Sequence, residues 1–236
     1  MATLKTEGLA LTGLHCRLLL EGGVARLDGG EAALNSGPLR FGASADLQDA
    51  NRPSFSFQGD LEKVRLTREL GQLWLAPFLG GVEKVLEGEI VRAHTELAWK
   101  GLAPPEIHAT LSGKGDMAVT ASLDLGPFLP RDIPVNLAPE LTRFTQASAR
   151  FTAGGGVVQN VLKVESGDSA AEMSGTMRLA DLESDYVLTL SGKLAKALPA
   201  RKVHLTGPIT RLEPHYGELV LDKIHDKLED LLKIRP

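Results

Sequence analysis

The sequence predicts a mainly all-β fold, in which an antiparallel meander forms a curled sheet or groove with an apolar inner face. Three observations lead to this prediction. Apolar and polar residues alternate with a period of two along most of the chain, as in strands with one dry and one wet face. Turn signals rich in glycine, asparagine and proline separate the alternating runs. These connections are too short for the crossovers that parallel strands need.

The alternating runs follow one another through most of the chain. In the run 55–61, for example, Phe55 and Phe57 alternate with Ser56 and Gln58. Comparable runs occupy residues 14–20, 39–47, 107–111, 117–125, 147–151, 173–179, 186–194 and 203–209. Turns are predicted between them at residues 22–23, 28–30, 35–38, 51–53, 104–105, 113–116, 154–156 and 167–168.

Two segments depart from the strand pattern. Residues 67–76 have apolar residues at helical spacing and end before a proline, so one short internal helix is predicted. Residues 218–233 place their aliphatic side chains on one stripe and predict a C-terminal amphipathic helix. Its balanced charge favours a cap on the sheet over a helix that lies on a membrane surface. We expect a single domain over residues 1–236, with a possible internal seam near residues 126–139.

The composition argues against several classes of function. The net charge is -4 and no basic block occurs, which argues against nucleic acid as a partner. Cys16 is the only cysteine, so neither an internal disulfide nor a thiolate zinc site is available. The sequence contains no catalytic triad, phosphate-binding loop or dinucleotide fingerprint. We therefore predict no catalytic residues, no cofactor and no enzyme activity.

One polar cluster has the spacing of a metal site. Asp222, His225, Asp226 and Glu229 share one face of the predicted terminal helix, where they would be able to hold a divalent metal. A solvated charged face opposite the leucine stripe explains the same pattern and is far commoner. No metal site is predicted.

The apolar face itself has two interpretations. The pattern alone favours the ordinary core of a sandwich or barrel, because apolar faces usually form a core. A trough that holds acyl chains fits the same pattern. Aromatic residues make up only 5% of the chain, and many positions on the face hold alanine, glycine or methionine, which leaves volume. The predicted helices are also too short to cover about a dozen strands of ordinary length.

Several strand motifs resemble the AsmA-like C-terminal region. Residues 144–166, FTQASARFTAGGGVVQNVLKVES, resemble that family's strand that ends at a glycine turn and continues as a Gly-Val-hydrophobic run. Residues 173–179, MSGTMRL, match its Gly-x-hydrophobic-x-Leu strand. Residues 186–190 resemble the strand after it, and residues 203–210 resemble the last strand before a terminal helix. Residues 86–89 and 109–115 also fit the family.

The resemblance covers most of the chain and implies a place in the bacterial envelope. Family members are usually anchored in the inner membrane by one N-terminal helix. They are related to TamB-like bridge proteins thought to carry phospholipids along an apolar β groove. The resemblance therefore implies a periplasmic location. The anchor helix is not present in this chain and the chain is short for the family, so we expect a fragment or an anchor-less form.

We predict a lipid-binding or lipid-transfer β-groove domain of the bacterial cell envelope. The expected partners are the acyl chains of phospholipids and, as a second kind of partner, other envelope proteins. The alternative is a non-catalytic structural or assembly module of an envelope or secretion complex, which would recruit partner strands at its sheet edges. The residues predicted to line the groove are Leu39, Phe41, Phe55, Phe57, Val119, Leu123, Phe151, Met173, Met177, Leu188 and Leu190.

Overall fold

The computed structural model describes residues 3–6, 9–67, 70, 88–124, 143–197, 201–209 and 211–215, and most of these residues lie in strands. The strands are β1 (Thr3–Thr6), β2 (Leu9–Glu21), β3 (Val24–Leu34), β4 (Gly37–Asp46), β5 (Ser54–Leu66), β6 (Gly88–Lys100), β7 (Ser112–Asp124), β8 (Arg143–Gly154), β9 (Val157–Ser166), β10 (Ser169–Arg178), β11 (Glu183–Ser191), β12 (Lys202–Pro208) and β13 (Glu213–His215). Helix α1 (Pro104–Thr110) connects β6 to β7, and helix α2 (Gly192–Ala197) follows β11.

The described strands form one sheet, in which their spatial order is their order in the chain. Every neighbouring pair is antiparallel, so the predicted meander is confirmed. The hairpins at Gly22–Gly23, Asn35–Ser36 and Gly155–Gly156 each turn on two residues with positive φ. This is the type I′ geometry, whose twist matches that of the flanking strands and which glycine and asparagine adopt at least cost.

The register of the strands defines two chemically different faces, because residues directly opposite each other point to the same side of a sheet. We call one side the apolar face, since it has a cross-strand row that is apolar at every position from β3 to β12. That row is Ala32, Leu39, Leu61, Ala93, Met117, Ala149, Leu162, Met173, Leu188 and Val203. The predicted antiparallel sheet with one apolar face is therefore confirmed.

The opposite side, which we call the polar face, has rows of charged and hydroxyl-bearing side chains. One of these rows alternates in charge across successive strands when its histidine is protonated. It consists of Glu31, Arg40, Asp60, His94, Asp116 and Arg150. Opposite charges on directly facing residues favour this register over its neighbours, so the polar face helps to fix the pairing.

Irregular pairing bends the sheet at several places. The register shifts between Leu27 and Gly30 on β3, and again between Ile90 and Arg92 on β6. Strand β7 has a similar shift between Thr120 and Leu123. Such bulges add local twist and bend the strand, so they contribute to the curl of the sheet.

The apolar face is most deeply buried at one end of strands β5 to β8. Val64, Ile90 and Phe144 are fully buried there. A smaller cluster lies at the opposite end of strands β9 to β11 and consists of Val158, Met177, Tyr186 and Ile209. The face between these two clusters remains only partly covered.

Several local predictions were wrong. Residues 107–111 were predicted as a strand, but α1 spans Pro104–Thr110. A helix starts well at proline, and the carboxylate of Glu106 accepts hydrogen bonds from the amides of Leu102 and Ala103 at 3.1 and 3.3 Å. The turns predicted at residues 28–30 and 113–116 lie inside β3 and β7. The run predicted to extend to residue 194 ends at Ser191, where α2 begins.

Other predictions lie outside the described residues. These are the seam near residues 126–139, the C-terminal helix over residues 218–233 and most of the internal helix over residues 67–76. Within that last segment, Leu70 is helical and buried, and its amide donates to Thr67 Oγ1 at 3.3 Å. A hydroxyl that accepts from the amide three residues later is the usual N-cap of a helix.

Candidate functional site

The residues predicted to line a groove share one side of the sheet. Cross-strand pairing puts Phe41 and Phe57 on the apolar face, and the same pairing continues through β8 to Phe151 and through β10 to Met173. Pairing or alternation puts the rest of the predicted set there as well, apart from Leu123. The backbone of Leu123 pairs with Phe144, but its side chain lies outside the described part of the structure.

Burial divides the predicted set into two groups. Val119, Met177 and Leu190 are buried and belong to the two core clusters. The remaining described members are only half-buried, and they are Leu39, Phe41, Phe55, Phe57, Phe151, Met173 and Leu188. Part of the face is therefore ordinary core, and part is available to a ligand.

A cavity of about 80 Å³ opens in the middle of the apolar face, between strands β6 and β10. Its apolar walls include Met117, Ala149, Phe151, Leu162 and Met173. Met173 packs against both core clusters. The cavity therefore lies between the two clusters, in space that neither of them fills. A cavity with such apolar walls suits an apolar ligand.

A larger cleft of about 340 Å³ lies further towards the N-terminal edge, between strands β2 and β6. Phe55 and Trp99 stack in it, with ring centroids 5.3 Å apart and ring planes inclined by 17°. Leu18 lines the cleft with 58% of its surface exposed, and Leu20, two residues further along β2, is 74% exposed. The cleft is therefore an apolar surface that faces solvent.

Glycines on the apolar face leave room for aromatic rings to lie flat against the sheet. Gly30, Gly115 and Gly175 lie directly opposite Phe41, Phe151 and Tyr186. A Cβ atom on any of these glycines would come within 2.7 Å of the opposite ring. The rings therefore lie over the glycines and along the sheet. They leave the space above the apolar face open.

Asn160 on β9 is a polar residue within this apolar surface. Its Nδ2 donates to the hydroxyl of Tyr186 at 2.8 Å, and it lines the central cavity. Its Oδ1 is buried and has no hydrogen-bond partner among the described residues. Burial raises the pKa of the Tyr186 hydroxyl, which therefore stays neutral and keeps its hydrogen.

The polar face is hydrated and charged. His94 Nδ1 lies 2.6 Å from Asp60 and its Nε2 lies 3.1 Å from Glu96, and these hydrogen bonds raise the pKa of His94. The hydroxyls of Ser44 and Ser56 lie 2.7 Å apart. A shallow cleft of about 480 Å³ on this side is lined by both serines and by charged neighbours, so it does not suit an apolar ligand.

The cavity and the cleft also use residues outside the predicted groove-lining set. These residues are Leu18, Leu27, Trp99, Met117, Asn160 and Leu162. Trp99, Asn160 and Leu162 lie directly opposite the predicted residues Phe55, Phe151 and Met173. Alternation assigns a face within one strand, whereas the strand register is needed to find such partners.

The described residues include neither a candidate metal site nor a candidate membrane-spanning helix. Within the described ranges, no cluster of histidine, cysteine, aspartate and glutamate has the geometry of a metal site. The candidate cluster around His225 lies outside those ranges. Among the helices that are described, none has both the length and the apolar character to cross a bilayer.

Comparisons of this chain with protein-family models, curated proteins and solved structures gave no significant match. The resemblance to the AsmA-like family therefore remains a prediction that rests on the strand motifs.

Proposed function

We propose that the apolar face binds the acyl chains of phospholipids and that the domain stores or transfers lipid in the bacterial periplasm. The observation on which this rests is the partly open apolar face, which holds both the cleft between β2 and β6 and the cavity between β6 and β10. The AsmA-like motifs support the envelope location. No catalytic step is part of this proposal.

Nonspecific contact is sufficient for such binding. Each methylene group that an acyl chain buries contributes about 0.8 kcal/mol. The stacked pair of Phe55 and Trp99 offers a broad apolar contact, and Leu18 extends that contact towards the edge of the sheet. The headgroup would remain in water, because Arg26 is the one charged residue among the described residues that line the cleft.

The proposal is tested with two matched variants in adjacent positions of β4. Ala43 lines the cleft on the apolar face, and its neighbour Ser44 points to the polar face. Ala43→Glu puts a charge where acyl chains would lie and is expected to abolish binding of a fluorescent fatty-acid probe. Ser44→Glu introduces the same side chain on the other side and is expected to leave binding within about twofold of the unmodified protein.

Native mass spectrometry of the protein purified from membranes gives the second readout. We expect co-purified phospholipid on the unmodified protein and on Ser44→Glu, but not on Ala43→Glu. If the unmodified protein has no bound lipid and does not bind the probe, the proposal is wrong.

A second candidate function, that of an assembly module, is favoured by the exposed edge of β2. Strand β1 pairs only with residues Leu9–Thr12, so Gly13–Glu21 has no partner strand on its outer side among the described residues. This segment exposes Leu14, Leu18, Leu19 and Leu20. A long exposed apolar edge is a template for another strand.

The partner that this edge suits is a second copy of the chain. Antiparallel self-pairing centred on Leu18 would bring His15 opposite Glu21 of the other copy and keep Leu18 and Leu20 on one face. Sedimentation velocity over a range of concentrations tests this. We expect a dimer that Leu18→Lys abolishes and that the control Arg17→Lys retains. A chain that remains monomeric at all concentrations would exclude the assembly.

A further inference from the structure

The central cavity has one polar atom whose hydrogen-bonding capacity is unused. Asn160 Oδ1 is buried and without a partner among the described residues, although Asn160 lines the cavity. The walls around it are mostly apolar, and they include Met117, Phe151, Leu162 and Met173. A buried carbonyl oxygen that makes no hydrogen bond is unfavourable, and buried polar groups in folded proteins nearly always have a partner.

A hydrogen bond to Tyr186 sets the orientation of the Asn160 amide beside the cavity. Ser184 Oγ donates to the carbonyl of Leu182 at 3.1 Å, and a carbonyl oxygen can only accept. The side chain of Ser184 also forms a hydrogen bond with the Tyr186 hydroxyl. The Tyr186 oxygen in turn accepts from Asn160 Nδ2 at 2.8 Å. The amide is thus held with its nitrogen on the tyrosine and its oxygen unused.

The fold provides this arrangement through a glycine. Asn160, Gly175 and Tyr186 are in one cross-strand row on β9, β10 and β11. A Cβ atom at Gly175 would lie 2.7 Å from Tyr186 Cδ1, so the ring crosses over β10 at the position where no side chain stands. The hydroxyl then reaches Asn160 two strands away. Three strands therefore hold the acceptor in position.

We propose that Asn160 Oδ1 accepts a hydrogen bond from an aliphatic hydroxyl group of the bound lipid. This inference rests on the proposed function, because it assumes that the cavity takes an apolar molecule. It adds a substrate class, namely lipids with an alcohol group on or near a hydrocarbon chain. A fatty carboxylate is disfavoured at this position, since it has no hydrogen to donate and adds a negative charge beside the oxygen.

The test compares two ligands that share a hydrocarbon chain and differ in whether the oxygen carries a hydrogen or a methyl group. Hexadecanol and its methyl ether have the same hydrocarbon chain, but only the alcohol can donate. Each is titrated against the protein loaded with a fluorescent fatty-acid probe. We expect the unmodified protein to bind the alcohol about fivefold more tightly than the ether, as for one neutral hydrogen bond. Asn160→Leu is expected to bind the two equally.

Three further variants distinguish a hydrogen bond to Asn160 Oδ1 from a general change in the cavity. Tyr186→Phe removes the oxygen that holds the Asn160 amide, and we expect the preference for the alcohol to fall. Met117→Leu changes an apolar wall at similar volume and is expected to keep the preference. Thr95→Val removes the hydroxyl of another lining residue and is also expected to keep it.

The possible outcomes distinguish this inference from the proposed function. If the fatty-acid probe does not bind the protein at all, the proposed function is wrong. If both ligands bind the unmodified protein equally, the face binds lipid but Asn160 recognises no hydroxyl. If the preference persists in Asn160→Leu or is lost in Thr95→Val instead, the acceptor is assigned wrongly and the inference is overturned.

Discussion

Single glycines on the apolar face control how its aromatic rings lie. Gly175 stands opposite Tyr186, and an added Cβ would lie 2.0 Å from the carbonyl oxygen of Asp185 and 2.7 Å from Tyr186 Cα. These are backbone atoms, which cannot move aside as the end of a flexible side chain can. We expect Gly175→Ala to lower the free energy of unfolding by about 1–3 kcal/mol, as overpacking does.

The matched control is Gly154 at the end of β8, where an added Cβ would meet nothing within 4 Å. Gly154→Ala is expected to change the free energy of unfolding by less than about 0.5 kcal/mol. Urea unfolding followed by circular dichroism measures both variants. Equal effects of the two substitutions would show that the close approach of Tyr186 to Gly175 does not determine stability.

His94 on the polar face makes stability depend on pH. Hydrogen bonds to Asp60 and Glu96 raise its pKa above the ordinary value of 6.5, and Asp116 lies directly opposite on β7. Arg92, which contacts Asp116, opposes the effect. Because the folded state binds the proton more tightly, the stabilisation is complete below the unfolded pKa. It is lost as the pH rises through the folded pKa.

We therefore expect the unmodified protein to lose stability relative to His94→Gln between about pH 5.5 and about pH 8.5. The difference should be about 1 kcal/mol or less, since the ion pairs are exposed and screened by solvent. Urea unfolding at both pH values, repeated in about 1 M salt, measures it. A constant difference between the two proteins over this range would contradict the assignment.

At the scale of elements, one turn joins more than the two strands that it connects. Asn35 follows β3 with a φ of 47°, and its Oδ1 accepts from the amide of Ala10 on β2 at 2.8 Å. Its Nδ2 donates to the carbonyl of Arg65 on β5 at 3.2 Å. The side chain therefore links the β3–β4 turn to the strands on both sides of that hairpin.

Two substitutions at Asn35 separate the backbone effect from the side-chain effect. Asn35→Gly keeps the positive φ accessible and removes the side-chain hydrogen bonds to Ala10 and Arg65, so we expect the free energy of unfolding to fall by about 1–2 kcal/mol. Asn35→Ala removes the same bonds and adds backbone strain, so its loss should be larger by up to about 1 kcal/mol. Thermal unfolding measures both. A smaller loss for Asn35→Ala than for Asn35→Gly would contradict this account.

The sequence predicts the strands better than it predicts their interruptions. Alternation identified Phe55 and Phe57 correctly because each strand has one wet face, and that pattern depends on local geometry alone. It failed at Ile107, where apolar residues alternate by chance inside α1. It also failed at Gly113, which resembles a turn residue but lies in β7, where an added Cβ would lie 2.1 Å from the carbonyl oxygen of Glu96. A glycine in a sequence therefore marks either a place with no room for a side chain or a backbone with positive φ.

At the scale of the whole molecule, the candidate site was predictable only in part. The sequence indicates which residues share the apolar face, but it does not reveal which of them the protein covers itself. Val119 and Phe57 have the same pattern, yet Val119 is buried and Phe57 lines an open cleft. The free oxygen of Asn160 depends on the register of three strands. Alternation within one strand contains no information about that register.

The uneven burial of the apolar face predicts an uneven stability of the sheet. Amides beside Val64, Ile90 and Phe144 should exchange with solvent only through global unfolding, because those side chains are fully buried. Outward-pointing amides of β2 beyond Gly13 should exchange fastest, since that side of the strand has no described partner. Hydrogen exchange followed by mass spectrometry after proteolysis measures both regions in one experiment.

The same measurement with saturating hexadecanol tests how far the ligand extends over the sheet. A ligand that binds only the folded state adds stability by mass action, and the gain in protection is largest in segments that it touches. We expect added protection in β3 to β6 around Phe55 and in β7 to β10 around Asn160, but none in α1, none of whose residues line the cleft or the cavity. Protection confined to one of the two regions would show that the cleft and the cavity are separate sites. Protection confined to β12 and β13 would place the ligand elsewhere and contradict the groove.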